Sequence, residues 1–514
     1  MTALRIKQFG WLSLFCWLVI STSNWVVVSA GSQDKARTWV NSALEVMGGK
    51  ARLSALKSLK IEGLGYRNHL ADSEHPEGPW VPDFMQITEL RDLEGRRLHR
   101  VSTIQFPGND LGTTTLINAG GVGLTVSALN GNAFPARTAP TQDQWIVQSP
   151  ERALLAAFEA PDLRAESDTV TQSVPHHVVA FTWEKMPVRI FINSYNSLPT
   201  AVEIVRDYPY DIGSGAWGDV TTRVVFSNWD LKPGGIHYPL QWDTAWNGLP
   251  WQSFTITKLS FNPVLQDDAF SIPEDARKAF APRTIDELPL GSPDRPAREI
   301  APHVIQIPGN WYTTLVAQSD GIVIVEAPIS NGYSARVIAE AQRRYPNLPI
   351  KAAITTTNYW WHFGGIREYV SRGIPVYVLD LNKPILERVL AAPRRSHPDQ
   401  LARDPKAAKF RVVSSRIVIG TGSNRLELYP VRAGAAQMMM VYFPEHKLLY
   451  TSEMAQPLGP GGSFLYPHDL SSLIEEVKQD KLIVDTVIGM HMSPTPWAKV
   501  VEAVATASAP TTSH

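Results

Sequence analysis

The chain of 514 residues holds one cysteine, Cys16, inside an apolar run near the N-terminus. Cys16 follows Phe15, not the small residue that a lipidation site takes. With that run removed, the rest of the chain can form no disulfide and carries no thiol chemistry. A surplus of basic charge is also missing, since 48 Lys and Arg face 49 Asp and Glu. Nucleic-acid binding usually announces itself as a basic excess, so no nucleic-acid partner is expected. Beyond the N-terminus no apolar stretch is long enough to span a bilayer. There is no G-x-S-x-G elbow and no Gly-rich phosphate loop in the right place, so serine hydrolysis and nucleotide chemistry find no support. No solenoid repeat is present.

What is there begins with Arg5 and Lys7, an apolar run from Phe9 to Ile20, a polar "STSN" and then "WVVVSA". Val28 and Ala30 suit the −3 and −1 positions of a cleavage site. This reads as a secretory signal over residues 1–30, with an uncleaved anchor as the alternative. Export to the periplasm or the extracellular space follows, with no transmembrane span left after cleavage. The length exceeds one ordinary core, so two domains are expected. The 16 tryptophans read as packing residues before they read as binding grooves.

Residues 34–59 carry a helical pattern. The next two hundred residues change to short alternating runs such as "MQITELRDLEGRRLHRVSTI", "HHVVAFTWE" and "TTRVVFSNWD", separated by Gly and Pro turns. That rhythm predicts a large antiparallel sheet. Residues 281–300, "APRTIDELPLGSPDRPAREI", read as a linker. Strands and helices then alternate: "GIVIVEAP", "SARVIAEAQRRYP", "IKAAITTT", "GGIREYVSRG", "IPVYVLD" and "NKPILERVLAA". The organisation is a signal over 1–30, a β-rich domain over 31–280, a linker over 281–300, a second domain over 301–503 and a disordered tail over 504–514. The fold class is α+β and α/β.

The second half resembles the metallo-β-lactamase superfamily, and most of all exported members with an "EAP" strand end. "DGIVIVEAPISNGYSARVIAEAQRRYPNLPIKAAITT" resembles the family's opening strand, helix and strand. "HFGGIREYVSRGIPVYV" resembles its metal loop, "MMMVYFPEHKLLYTSEM" the hairpin before the bridging carboxylate, and "IVDTVIGMHMSP" the strand end with the last histidine. The resemblance covers residues 303 to 500 and implies a C-terminal αβ/βα sandwich. The first half is more loosely similar to curved-sheet lipoprotein carriers, which implies a lipid or other apolar ligand.

Laid on the family's T-H-x-H-x-D-H-x-G-G loop, "TTTNYWWHFGG" puts Thr357, Tyr359 and Trp361 at ligand positions and keeps only His362. Gly434 falls where another histidine stands, Glu453 where the bridging aspartate stands, and His491 is kept. The first metal position is thus stripped of its histidines. His362, Glu453 and His491 remain as a set for one divalent metal, zinc first, or as a metal-free His–Glu–His cluster. The metal-free reading is preferred. Trp361 replaces a carboxylate with bulk, and Tyr359, Trp360, Trp361, His468 and Glu326 would line an apolar pocket for a small-molecule or apolar ligand. His468 with Asp469 reads more often as a solvated pair, and Glu326 reads equally as a strand-end carboxylate in solvent. The expected role is non-catalytic binding in the old cleft. The alternatives are a mononuclear hydrolase at the three remaining positions, or a scaffold module. The basic stretch "APRRSHPDQLARDPKAAKFR" reads as a solvated face. His176 and His177 have no ligand set around them.

Overall fold

The computed structural model describes residues 30–70, 78–106, 109–128, 131–432, 437–458, 463–464 and 466–508. The expected signal, all but its last residue, and Gly434 lie outside them.

In the first domain a helix, Ala30–Val46, leads into a short turn of helix and then a 14-stranded antiparallel sheet. Period two governs it. Along Val81–Asp92 the alternate residues Asp83, Met85, Ile87, Glu89 and Arg91 are buried. Bulges at Glu62/Gly63, Ile104/Gln105 and Thr244/Ala245 break the register and bend the strands. The buried face packs on two helices: Val40 and Leu44 from the first and Leu154 from Pro150–Glu159 join Phe181, Ile190 and Tyr238 in one core.

The expected linker is not free. Thr284 and Glu287 form a capping box on the turn Ile285–Glu287. Ile285 N donates to Pro209 O at 2.7 Å on the first domain, and Gly332 N donates to Asp286 Oδ1 at 2.8 Å on the second. Residues 281–300 therefore fasten the two domains together and run into the strand Arg298–Ala301.

The second domain has two sheets face to face. The first, seven-stranded, runs from Arg298–Ala301 to Phe410–Val413. It is antiparallel up to Gly321–Val325 and parallel through Ile350–Thr355 and Val376–Leu379. These strands are buried, so they read as continuous apolar runs. The second, six-stranded, runs from Ile417–Ile419 to Thr495–Pro496. Ile324, Ile354, Val378, Val441, Phe443 and Tyr450 share the core between them. Outside the first sheet lies the helix Asn331–Arg344, capped by Ser330 Oγ accepting from Tyr333 N at 3.2 Å. Outside the second lie Pro467–Gln479 and Trp497–Ala507, packed on Met440, Tyr442 and Leu449. This is the expected αβ/βα sandwich behind a large antiparallel sheet. The tail differs from expectation at its start, because the last helix continues through Ala507 and residues 509–514 lie outside the described part.

The basic stretch also departs from a solvated face. Arg394 Nη2 donates to Gly215 O at 3.0 Å and Ala216 O at 3.1 Å, and Arg395 N donates to Asp219 Oδ2 at 2.6 Å. A side chain on Gly218 would come within 2.2 Å of Pro393 O, so only glycine permits this approach of the two domains. Arg367 donates twice to Asp399, at 2.6 and 2.9 Å, behind the contact.

Candidate functional site

Four strand ends meet at one edge of the sandwich. Glu326 follows Gly321–Val325, Thr356 follows Ile350–Thr355, Ser452 and Glu453 follow Leu448–Tyr450, and His491 follows Thr486–Ile488. The strands form two parallel pairs, so their C-terminal ends point the same way. Glu326, Ile329 and Ser452 have φ of 74°, 72° and 56°, left-handed values that cost non-glycine residues on the order of 1 kcal/mol each. The chain turns sharply here to aim side chains inward.

The loop "TTTNYWWHFGG" is pinned from below. Ile329 N donates to Trp361 O at 2.8 Å, Ala327 N to His362 O at 3.2 Å, and Gly365 N to Ala327 O at 2.9 Å. A Cβ on Gly364 would stand 2.5 Å from Ile329 O, and one on Gly365 2.3 Å from Ser330 O. The two glycines are thus required by contact, whatever the chemistry above them.

The structure brings His362, Glu453 and His491 together, with one ligand atom from each within 4.8 Å of the others. His362 Nε2 lies 2.7 Å from Glu453 Oε2, and His491 Nε2 lies 3.1 Å from Glu453 Oε1. Gln456 Nε2 donates to Glu453 Oε1 at 3.1 Å. Burial opposes a charge on Glu453, but the two imidazoles outweigh it and hold the carboxyl well below the usual carboxylate range. Burial pushes His362 the other way, towards the neutral ring. Both rings thus set an Nε2 against one carboxylate, but the approach of His362 is off hydrogen-bond geometry and Glu453 Oε2 has no hydrogen-bond partner among the described residues.

A metal fits this set only in part. The donor atoms have the right chemistry and converge. A metal on His362 Nε2 would move that ring's proton to Nδ1, where a coordinating histidine normally finds an acceptor. Among the described residues His362 Nδ1 has none, and it is buried. A buried nitrogen without a partner costs about 1–3 kcal/mol as a lone pair or as an N–H, and the orphaned N–H is the rarer of the two in folded proteins. The second ring nitrogen therefore suits the metal-free cluster.

The other expected residues fall in different places. Trp361 stands 6.0 Å from Trp311 and 6.4 Å from Tyr359, ring to ring, in an aromatic wall. Tyr359 stands edge-on to His362 at 6.1 Å. Thr357 is fully buried and its Oγ1 accepts from Tyr359 N at 3.3 Å, so it shapes the loop. Trp360 is not a pocket residue: its Nε1 donates to Gly213 O at 2.5 Å and its ring meets Trp217 edge-on at 5.0 Å, across the domain boundary. His468 is exposed on the first turn of Pro467–Gln479, with no side-chain bond to the cluster among the described residues. His176 is buried with Nδ1 2.8 Å from Val174 O, and His177 stacks on Trp39 at 4.1 Å.

Glu326 is not in solvent. It is fully buried, and Thr356 N donates to its Oε1 at 3.1 Å. Thr356 Oγ1 contacts the same Oε1 and also Ser452 Oγ at 2.7 Å, while Ser452 Oγ donates to Thr356 O at 3.1 Å. One hydroxyl proton on Thr356 cannot serve both contacts. A proton on Glu326 completes the chain Glu326 → Thr356 → Ser452 → Thr356 O. Burial, with Glu453 nearby, raises this acid to about 8. Sequence reasoning missed Trp311, whose ring lies 4.9 Å from His362, and Gln456. Trp311 sits in "PGNWY", a strand-joining turn whose only signal is a large aromatic where a polar residue is usual.

No protein-family model matches the chain, and no curated protein does. Among solved structures it is similar to the inverting sec-alkylsulfatase Pisa1 from a Pseudomonas species, at 18% identity and a TM-score of 0.32, over 41% of this chain and 40% of that one. The alignment thus spans less than half of that enzyme. It is also similar to a metallo-β-lactamase from Pontibacter korlensis, at 14% identity and a TM-score of 0.32, over 41% of this chain and 96% of that one. The DIM-1 metallo-β-lactamase gives 14% identity and a TM-score of 0.34, over 43% of this chain and all of that one.

Proposed function

We propose that the protein is exported and that its His362–Glu453–His491 cleft works without a metal, as a non-catalytic site for a small-molecule or apolar ligand. The observation that carries this is His362 Nδ1, buried with no acceptor among the described residues, so that the ring holds its proton on the Nε2 that faces Glu453. Trp311, Tyr359 and Trp361 supply apolar walls, and His491, about one-fifth exposed, presents the polar end. The first metal position, at Thr357, Tyr359 and Gly434, has no imidazole to offer.

A second reading has its own support in the convergence of three donor atoms within 4.8 Å. It is a hydrolase with a single divalent ion, zinc first, at His362, Glu453 and His491. Elemental analysis of the mature protein, purified without chelator and then incubated with excess zinc, separates the two. No bound metal in wild type is the expected result. About one equivalent, lost in the His362→Ala/His491→Ala variant, overturns the first reading in favour of the second.

A further inference from the structure

The first domain holds a cavity of about 280 Å³ on the buried face of its sheet, bordered by the segment around Trp145. Its walls follow from register. Glu89 pairs directly with Arg100 on the neighbouring strand, and Ile87 and Met85 pair with Ser102 and Ile104. Alternate residues of both strands therefore face the cavity. Opposite them stand Trp242, Trp251 and Phe254.

The charges in these walls do not cancel. Glu89 is nearly fully buried and accepts from Arg91 Nε and from Arg100 Nε, both at 2.6 Å. One carboxylate thus answers two guanidiniums. Arg67, also in the wall, has its own partner in Asp83 at 2.5 Å. Glu151 lies behind Arg91 and is not in the cavity wall; burial raises its acid above the usual carboxylate range. Arg91 is a packing cation, sandwiched by Trp145 at 5.6 Å and Trp242 at 5.5 Å and bonded to Ser149 Oγ at 3.1 Å. Arg100 is different. It spends only Nε on Glu89, its side chain is about one-third exposed, and its two terminal amino groups have no partner among the described residues. A free guanidinium fork beside an aromatic-lined cavity is a place for an oxyanion with an apolar body.

We propose that this cavity binds a small organic monoanion, a carboxylate on a short chain or a single ring, with its carboxylate on the terminal amino groups of Arg100 and its body against Trp242, Trp251 and Phe254. The volume sits at the low end for ligand pockets and suits a molecule of that size better than a long-chain lipid.

Calorimetric titration of the full chain with octanoate, octanol and octylammonium tests this. Octanoate is expected to bind about tenfold tighter than octanol or more, and octylammonium weakest. Arg100→Gln is expected to bring octanoate down to the level of octanol without changing octanol. If that variant fails to fold, Arg100→Lys, which keeps the charge but loses the fork, is expected to weaken octanoate several-fold. Equal binding of octanoate and octanol, or no octanoate binding, overturns the proposal. So does octanoate binding that survives Arg100→Gln or Arg100→Lys but is lost in His491→Ala, which would put the anion in the C-terminal cleft.

Discussion

Glu326 is a buried acid that holds its proton more tightly in the folded chain than in the unfolded one. Its folded value is raised from 4.5 to about 8, chiefly by burial and secondly by the nearby Glu453. Between those values the unfolded chain gives up a proton that the folded chain keeps. Stability must therefore fall as pH rises through that window, with the full penalty present above about 8. Gln keeps an oxygen for Thr356 N and offers an amide N–H in place of the acid proton. Glu326→Gln is therefore expected to match wild type near pH 4 and to be more stable near pH 9, by a few kcal/mol at most. Urea midpoints at the two pH values check this; a constant difference between the proteins would mean that Glu326 titrates alike in both states. Below about 8 the same proton lets Glu326 sit beside an ionised Glu453, whose charge is one reason the proton is held.

The loop from Thr355 to Gly365 owes its shape to its underside, where Ile329 and Ser330 press against the two glycines. Gly365→Ala would place its Cβ 2.1 Å from Ser334 Oγ and 2.3 Å from Ser330 O. The hydroxyl can rotate away but the carbonyl belongs to the capped start of a helix. The expected loss is about 1–3 kcal/mol, read by denaturant unfolding; a loss below about 0.5 kcal/mol would mean that the loop yields easily. At this scale much was legible. The strand–helix alternation after Gly321 and the alternating runs before Phe261 become the elements found, because a period of two or of 3.6 residues is a local property of the chain. The convergence of His362, Glu453 and His491 was reachable only as what the family resemblance implied, because no local pattern in the chain joins that loop to two distant strand ends. The roles of Trp311 and Gln456 were not, since each depends on a partner brought by tertiary packing. Nor was the docking of residues 281–300, where a proline-rich composition hides a capped turn.

The two domains are joined by more than a chain. Trp360 comes from the loop that carries His362, yet its ring lies against Trp217 and its Nε1 bonds Gly213 O, both in the first domain. Beside it Asp219 accepts from Arg395 N, and Arg394 spans to Gly215 and Ala216. "YWW" is therefore divided between two tasks: Tyr359 and Trp361 face the cluster, and Trp360 faces the other domain. This division gives a physical reason for an aromatic run in this loop, and it ties the position of His362 to the seating of the first domain. Trp360→Ala removes a nearly buried indole and one hydrogen bond, at a cost of about 3 kcal/mol or more. Because Trp360 and Trp217 belong to the part of the core that crosses the domain boundary, the domains are expected to lose cooperativity. Scanning calorimetry of wild type should show one transition, and the variant two, with the lower one shifted down by several degrees. Loss spread evenly over a single transition would show instead that Trp360 serves the second domain alone, and that the cleft and the sheet domain are mechanically independent.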